Sequence, residues 1–310
     1  MRGDDAPVRD QPLPRAYLAP PDALLSYTYS RTARAQRRLR DGHGLGMRII
    51  GDSGAYSAMS QGEPIRLKDY AAWLVDFQRY HCWSASLDVI GDFGSSWANW
   101  MRLREADIIT VPTIHFGAPA DLIDGYVRHG ADLIGLGGMV GVRTSLARPW
   151  AAHVMAYAAK EHPQVRFHGW GVSSVEMMAH LPFWSVDSST FNTNCRYGRM
   201  RLWDPDNRRI TVVHLNGVHA GKYGRLLRTH YGLTPAEARD SGPHNSTMHA
   251  LISFLSCQRQ AEFFQGRHNV SPPSGQKVVG TRMHFASTDI SITWRAAIDA
   301  LRRQQERESA

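Results

Sequence analysis

Short apolar runs alternate with longer segments of helical spacing along most of the chain. Apolar or β-branched runs closed by glycine or aspartate read as strands. By this rule strands fall at Leu24 to Tyr29, Arg48 to Gly51, Ser84 to Val89, Ile108 to Thr113, Asp132 to Leu136, Val165 to Trp170, Phe183 to Val186 and Ile210 to Leu215. Between them apolar residues recur three and four positions apart, which predicts helices at Thr32 to Leu39, Leu67 to Tyr80, Trp97 to Glu105, Pro119 to His129, Leu146 to His162 and Ser174 to His180.

Regular alternation of strand and helix predicts parallel strands joined by crossover helices. An open doubly wound sheet and a (β/α)8 TIM barrel both fit. The polar residues favour the barrel: Asp52, Asp88, His115, the glycines after Leu136, and Asp187 each follow a predicted strand. In a barrel all those strand ends converge on one face. Residues 1–22, rich in proline, read as a poorly ordered arm, and 23–310 as a single barrel domain. A helical C-terminal extension is expected from about residue 233, with helices at Pro235 to Phe264 and Ile290 to Arg307 joined by a linker that includes SPPSGQ.

Length and charge sharpen this picture. A chain of 310 residues can bury a sizeable core, and a formal charge of +8 attracts anionic partners, nucleic acid among them. The three cysteines, Cys82, Cys195 and Cys257, form neither a CxxC pair nor a disulfide framework, which fits a reducing cytoplasm. No apolar run has the length of a signal peptide core or a membrane span, so a cytoplasmic protein without a membrane partner is expected. GLGGMVG does not match the dinucleotide fingerprint and no P-loop occurs, so no nucleotide cofactor is expected.

Three acidic motifs carry candidate chemistry. In DSGAYS, Asp52 sits on a tight turn where Gly54 lets the backbone approach a ligand; the plain alternative is a helix-capping turn. In SLDVIGD, the planar carboxylate of Asp88 suits the ring N–H and exocyclic amine of a guanine-like base; the alternative for Asp88 or Asp92 is a cap or an ion pair. In FWSVDSSTF, Asp187 at a strand end is placed to attack an anomeric carbon, against the alternative of an Asx-turn. The backbone of Gly137, Gly138 and Met139 suits hydrogen bonding to a flat heterocycle.

The order DSGAYS, LDV, IHFG, GLGGMVG, HGWGVSS, SVDSS and RYGR resembles that of the tRNA-guanine transglycosylases. It is more similar still to their DNA-acting relatives, the 7-deazaguanine DNA transglycosylases of phages and bacterial genomic islands. The resemblance runs from about Leu24 to about Arg199. It implies that Asp187 is the nucleophile expelling guanine and that Asp52 handles the proton. It further implies that Tyr56 stacks on the base, Asp88 reads the guanine edge, Gly138 and Met139 contact the heterocycle, and His168 lines its other face. Arg196 and Arg199 correspond to arginines that clamp phosphates, with a solvated surface pair as the plain alternative.

The chain departs from the tRNA enzymes twice. His115 stands where they carry glutamine, so the resemblance implies that it contacts the carbonyl of the base; their zinc cluster of cysteines and histidine is missing, so no metal is expected, and an atypical site of Cys257, His244 and His249 is the exception to weigh. The expected function is therefore replacement of guanine in DNA by a free 7-deazaguanine such as 7-cyano-7-deazaguanine, in the host cytoplasm if the gene belongs to a phage. The alternatives are the same exchange on tRNA and a retaining barrel glycosidase using Asp52 and Asp187. The run Arg31 to Arg40 reads as a solvated helix face before a phosphate track, and Trp73, Trp97 and Trp100 as core.

Overall fold

The computed structural model describes residues 21–189, 198–214, 219–231, 234–239 and 282–286, with individual positions between 249 and 268. These fall into two compact units. One is formed by residues 21–189 with the described part of 258–291, the other by the described part of 190–257. Most of the expected arm, SPPSGQ and the helix at Ile290 to Arg307 lie outside the described residues.

The first unit is a mixed α/β structure on a parallel sheet. Its strands are β1 (Ala23–Ser26), β2 (Ile49–Asp52), β3 (Trp83–Ser84), β4 (Thr113–His115), β5 (Leu133–Gly137), β6 (Arg166–Gly169), β7 (Ser185–Ser188) and β10 (Arg282–Ala286). They lie in the order β3-β2-β1-β10-β7-β6-β5-β4, every pair parallel. The two end strands also meet just past β3: Ala85 bridges Val111 in parallel, with Val111 N donating to Ser84 O and Ser86 N to Val111 O, both at 2.8 Å.

Burial explains the pattern. All four residues of β1, and all five of β5, are enclosed, as happens when a parallel strand is covered on both faces. Helix α4 (Leu67–Phe77) buries Tyr70, Trp73, Leu74 and Phe77, one stripe at three- and four-residue spacing. Helix α5 (Phe93–Glu105) starts at Asp92, whose carboxylate accepts from Ser95 N at 2.9 Å, and buries Trp100 and Leu103. Trp97 is half-buried and packs against Trp100 and Tyr126, with ring centroids 5.5 and 5.0 Å away. Helix α2 (Ala33–Gly44) buries Leu39 and leaves Arg34, Arg37 and Arg40 exposed, the solvated face that its sequence predicts. No helix among the described residues is long and apolar enough to cross a membrane.

Several strand positions differ from expectation: β1 gives way to a helical turn at Tyr27–Ser30, and β3 covers Trp83–Ser84 in place of Ser84 to Val89. β4 begins at Thr113 and not at Ile108, because Pro112 has no N–H for the ladder and offers only its carbonyl, which accepts from Gly135 N at 2.8 Å. The strand expected at Ile210 to Leu215 is β9 (Arg209–His214), paired antiparallel with β8 (Arg199–Asp204) in the second unit. In the parallel sheet the eighth strand is β10, inside the stretch expected to join two C-terminal helices.

The second unit has its own small core. Met200, Leu202, Trp203 and Val213 are buried on the two-stranded sheet, and Trp203 O accepts from Tyr231 Oη at 2.7 Å while its N–H donates to Ser256 Oγ at 2.6 Å. The helix Gly224–Tyr231 adds Leu226 and Leu227.

Candidate active site

Because the strands all run one way, the residues that close them gather at the carboxyl-terminal end of the sheet. β2 ends on Asp52, part-buried. Gly54, in the left-handed region at φ 78°, turns the chain so that its N–H donates to Asp52 Oδ2 at 3.0 Å. A Cβ at Gly54 would stand 2.1 Å from Thr28 Oγ1 and 2.5 Å from Ser26 Oγ, so no side chain fits that turn. Desolvation, then the nearby charges of Asp88 and Asp187, push the Asp52 carboxyl up to about 7 against the opposing influence of the Ser26 hydroxyl and the Gly54 N–H. Asp52 thus senses both other acids.

Asp88 follows β3 and is held from two sides. Ser53 Oγ donates to Oδ1 at 3.3 Å, and His115 Nε2, from the end of β4, lies 2.6 Å from Oδ2. With Asp88 ionised, that contact requires the proton on His115 Nε2, leaving the buried Nδ1 without a partner. His115 therefore braces Asp88, where the resemblance had it contact the base. Each carboxylate oxygen keeps a further lone pair, and the Asp88 side chain remains 16% exposed.

Asp187 stands in β7 and is 8% exposed. Its Oδ1 accepts from Gly171 N at 2.7 Å, and His168 Nε2 lies 3.4 Å from the same oxygen, an electrostatic contact more than a formed hydrogen bond. Among the described residues Oδ2 takes no hydrogen bond. His168 is wholly enclosed: its ring stands edge-on to Trp170 and Trp83, centroids 4.3 and 4.9 Å away, and Nδ1 lies 2.7 Å from Ser185 Oγ. Burial pulls its pKa down, partly offset by Asp187. Such a ring cannot line a heterocycle. It positions the nucleophile candidate from behind.

Gly137 ends β5, and Gly138, at φ 68°, lies against His115 and Phe116, where an added Cβ would sit 3.2 Å from Phe116 N. Met139 is buried, so only its backbone is in question for a ligand. Tyr56, on α3 (Ala55–Gln61), is 53% exposed and offers a free ring face beside the turn that carries Asp52. Arg199 opens β8 in the second unit and is exposed; Arg196, Cys195 and His244 lie outside the described residues. Among the described residues no group of three His, Cys, Asp or Glu is arranged to hold a metal ion.

Three contributors escaped the sequence reading. Gly171 N and Ser53 act through local turns that carry no residue signal. His284 sits opposite Asp187 in the β10 register, and finding it required finding its strand. No protein-family model matches the chain, and no curated protein matches it.

Proposed function

We propose that the eight parallel strands close into a (β/α)8 barrel whose carboxyl-terminal mouth exchanges guanine in DNA for a free 7-deazaguanine. Pairing that is parallel throughout, together with the Ala85 to Val111 bridge between the end strands, supports closure. The chemistry rests on one observation above all: Asp52, Asp88 and Asp187 gather where the parallel strands end, and there burial and the other two charges push the Asp52 carboxyl up to about 7. Two carboxylates of unlike environment at one site suit two unlike tasks.

Asp187 attacks C1′ of the target nucleotide, and the C1′–N9 bond breaks with its electron pair moving to the guanine. Protonated Asp52 gives its proton to the leaving base. The incoming deazaguanine returns a proton to Asp52 from its N9–H, and N9 displaces Asp187 from C1′. One glycosidic bond replaces another, and no energy-rich cosubstrate is consumed. Asp88, braced by Ser53 and His115, accepts from the guanine edge, and Tyr56 stacks on the ring. A target in duplex is first extruded, at roughly a few kcal/mol. The formal charge of +8 supports an anionic polymer as substrate.

The test is incorporation of labelled guanine or 7-cyano-7-deazaguanine into DNA or tRNA. Label enters DNA with the parent protein and not with Asp187→Asn. Label in tRNA alone overturns the choice of DNA, and label in neither overturns base exchange.

A further inference from the structure

The opposite end of the parallel sheet holds a cavity of about 330 Å3. It lies where the strands begin. Arg48 precedes β2, Arg166 opens β6, and Arg104 reaches in from the last turn of α5, so three guanidinium groups share one recess. Its one acidic lining residue, Asp132, has its carboxylate 2.6 Å from an Arg166 terminal nitrogen and is mostly in solvent. The recess is cationic even after that pair is set aside.

Its donors lack acceptors. Arg48 Nε, Arg166 Nε, the ring N–H groups of Trp83 and Trp184, and Thr110 Oγ1 are all buried without a hydrogen-bond partner. Trp184 and Thr110 are each only 6% exposed. Buried donors in native folds almost always find acceptors, and several unmatched around one cavity describe the shape of what is missing. Arg166 lies over the Trp184 ring at 4.7 Å and Arg104 over Trp100 at 4.9 Å. Stacking fixes each guanidinium plane; one Arg166 terminal nitrogen is held by Asp132, and the in-plane N–H groups of Arg48 and Arg104 are left for a ligand.

We propose that this cavity is a binding site for a small phosphate ester bearing a planar ring. Guanidinium groups converging from three separate elements suit the several oxygens of a tetrahedral dianion better than the single edge of a carboxylate. The indole walls of Trp83 and Trp184 take the ring. Exposed Cys82 stands at the rim. The site lies at the other end of the strands from Asp52 and Asp187 and needs nothing from the base-exchange reading.

Phenyl phosphate is the probe, with inorganic phosphate, benzoate and benzyl alcohol beside it, each added to the intact protein. The indole N–H resonances of Trp83 and Trp184, assigned with the Trp83→Phe and Trp184→Phe variants, shift saturably with phenyl phosphate. Inorganic phosphate binds at least about tenfold more weakly, and benzyl alcohol does not bind. Alkylation of Cys82, followed by peptide mass, slows in the presence of the probe, an assay that needs no substitution. Arg48→Gln and Arg166→Gln each weaken binding at least about tenfold, while Arg48→Lys recovers part of it. Benzoate binding as tightly as phenyl phosphate overturns the phosphate assignment, and inorganic phosphate doing so overturns the ring. If neither resonance moves and Cys82 stays unprotected, the site does not exist.

Discussion

At one end of the parallel sheet stand Asp52, Asp88 and Asp187; at the other, Arg48, Arg104 and Arg166. β2 alone spans the contrast, with Arg48 just before its first residue and Asp52 as its last. Each acid has a donor: Asp88 has Ser53 and His115, Asp187 has Gly171, and Asp52 has Gly54. The arginine end keeps unmatched donors. A group of acids, each held by a neighbouring donor, is set up to act on a substrate, whereas a recess lined by guanidinium groups is set up to hold one.

The contrast breaks most severely at Asp187. Asp187→Asn keeps an oxygen for the Gly171 N–H but removes the proposed nucleophile, so on the base-exchange reading exchange falls at least about a thousandfold with the melting temperature close to that of the parent.

Asp52→Asn comes next, lowering exchange by roughly 10²–10⁴-fold and removing the inflection near neutral pH from the rate profile. Its stability profile carries a sign of its own. The folded carboxyl, raised from 3.8 to about 7, holds its proton through a range in which the unfolded one has lost it. Between those values the folded state binds more protons, so this group makes stability fall as pH rises. Melting scans therefore show Asp52→Asn gaining on the parent between pH 4 and pH 8; a gain that shrinks with rising pH refutes the raised carboxyl.

Gly54→Ala drives a methyl group into Thr28 and Ser26 in a left-handed turn and destabilises by about 1–3 kcal/mol in denaturant titration. Gly62→Ala, also at positive φ but with open space around it, costs about 1 kcal/mol or less. The smallest effect on exchange belongs to His115→Gln. It loosens the 2.6 Å brace on Asp88 and raises KM for the free base about tenfold, with kcat little changed.

Much of this layout was legible beforehand because a parallel strand closed by a polar residue has a distinctive signature. Asp52, Asp88, His115, Gly137 and Asp187 were located from that signature, and the structure brings them to one end of the sheet. β9 misled for a physical reason. Its run RITVVH is rich in β-branched residues, but Val212 is 38% exposed and Val213 fully buried, the alternation of a strand with one wet face. Continuous burial, as in β1, was the better marker of the parallel sheet. β10 hid because RMHFA carries an arginine and a histidine, and only its neighbours make His284 a core residue. The arginine recess had a faint trace in the sequence, a lone arginine at the head of apolar strands in RII and RFHG.

β10 also sets an order of events. It is inserted between β1 and β7, so Ala23 and Leu24 pair with Phe285 and Ala286, and Asp187 with His284, across almost the entire chain. During synthesis one edge of β1 and one edge of β7 wait unpaired until this late segment leaves the ribosome. A chain stopped before Arg282 keeps both edges open, which makes it a natural client for chaperones and, without them, a seed for edge-to-edge association.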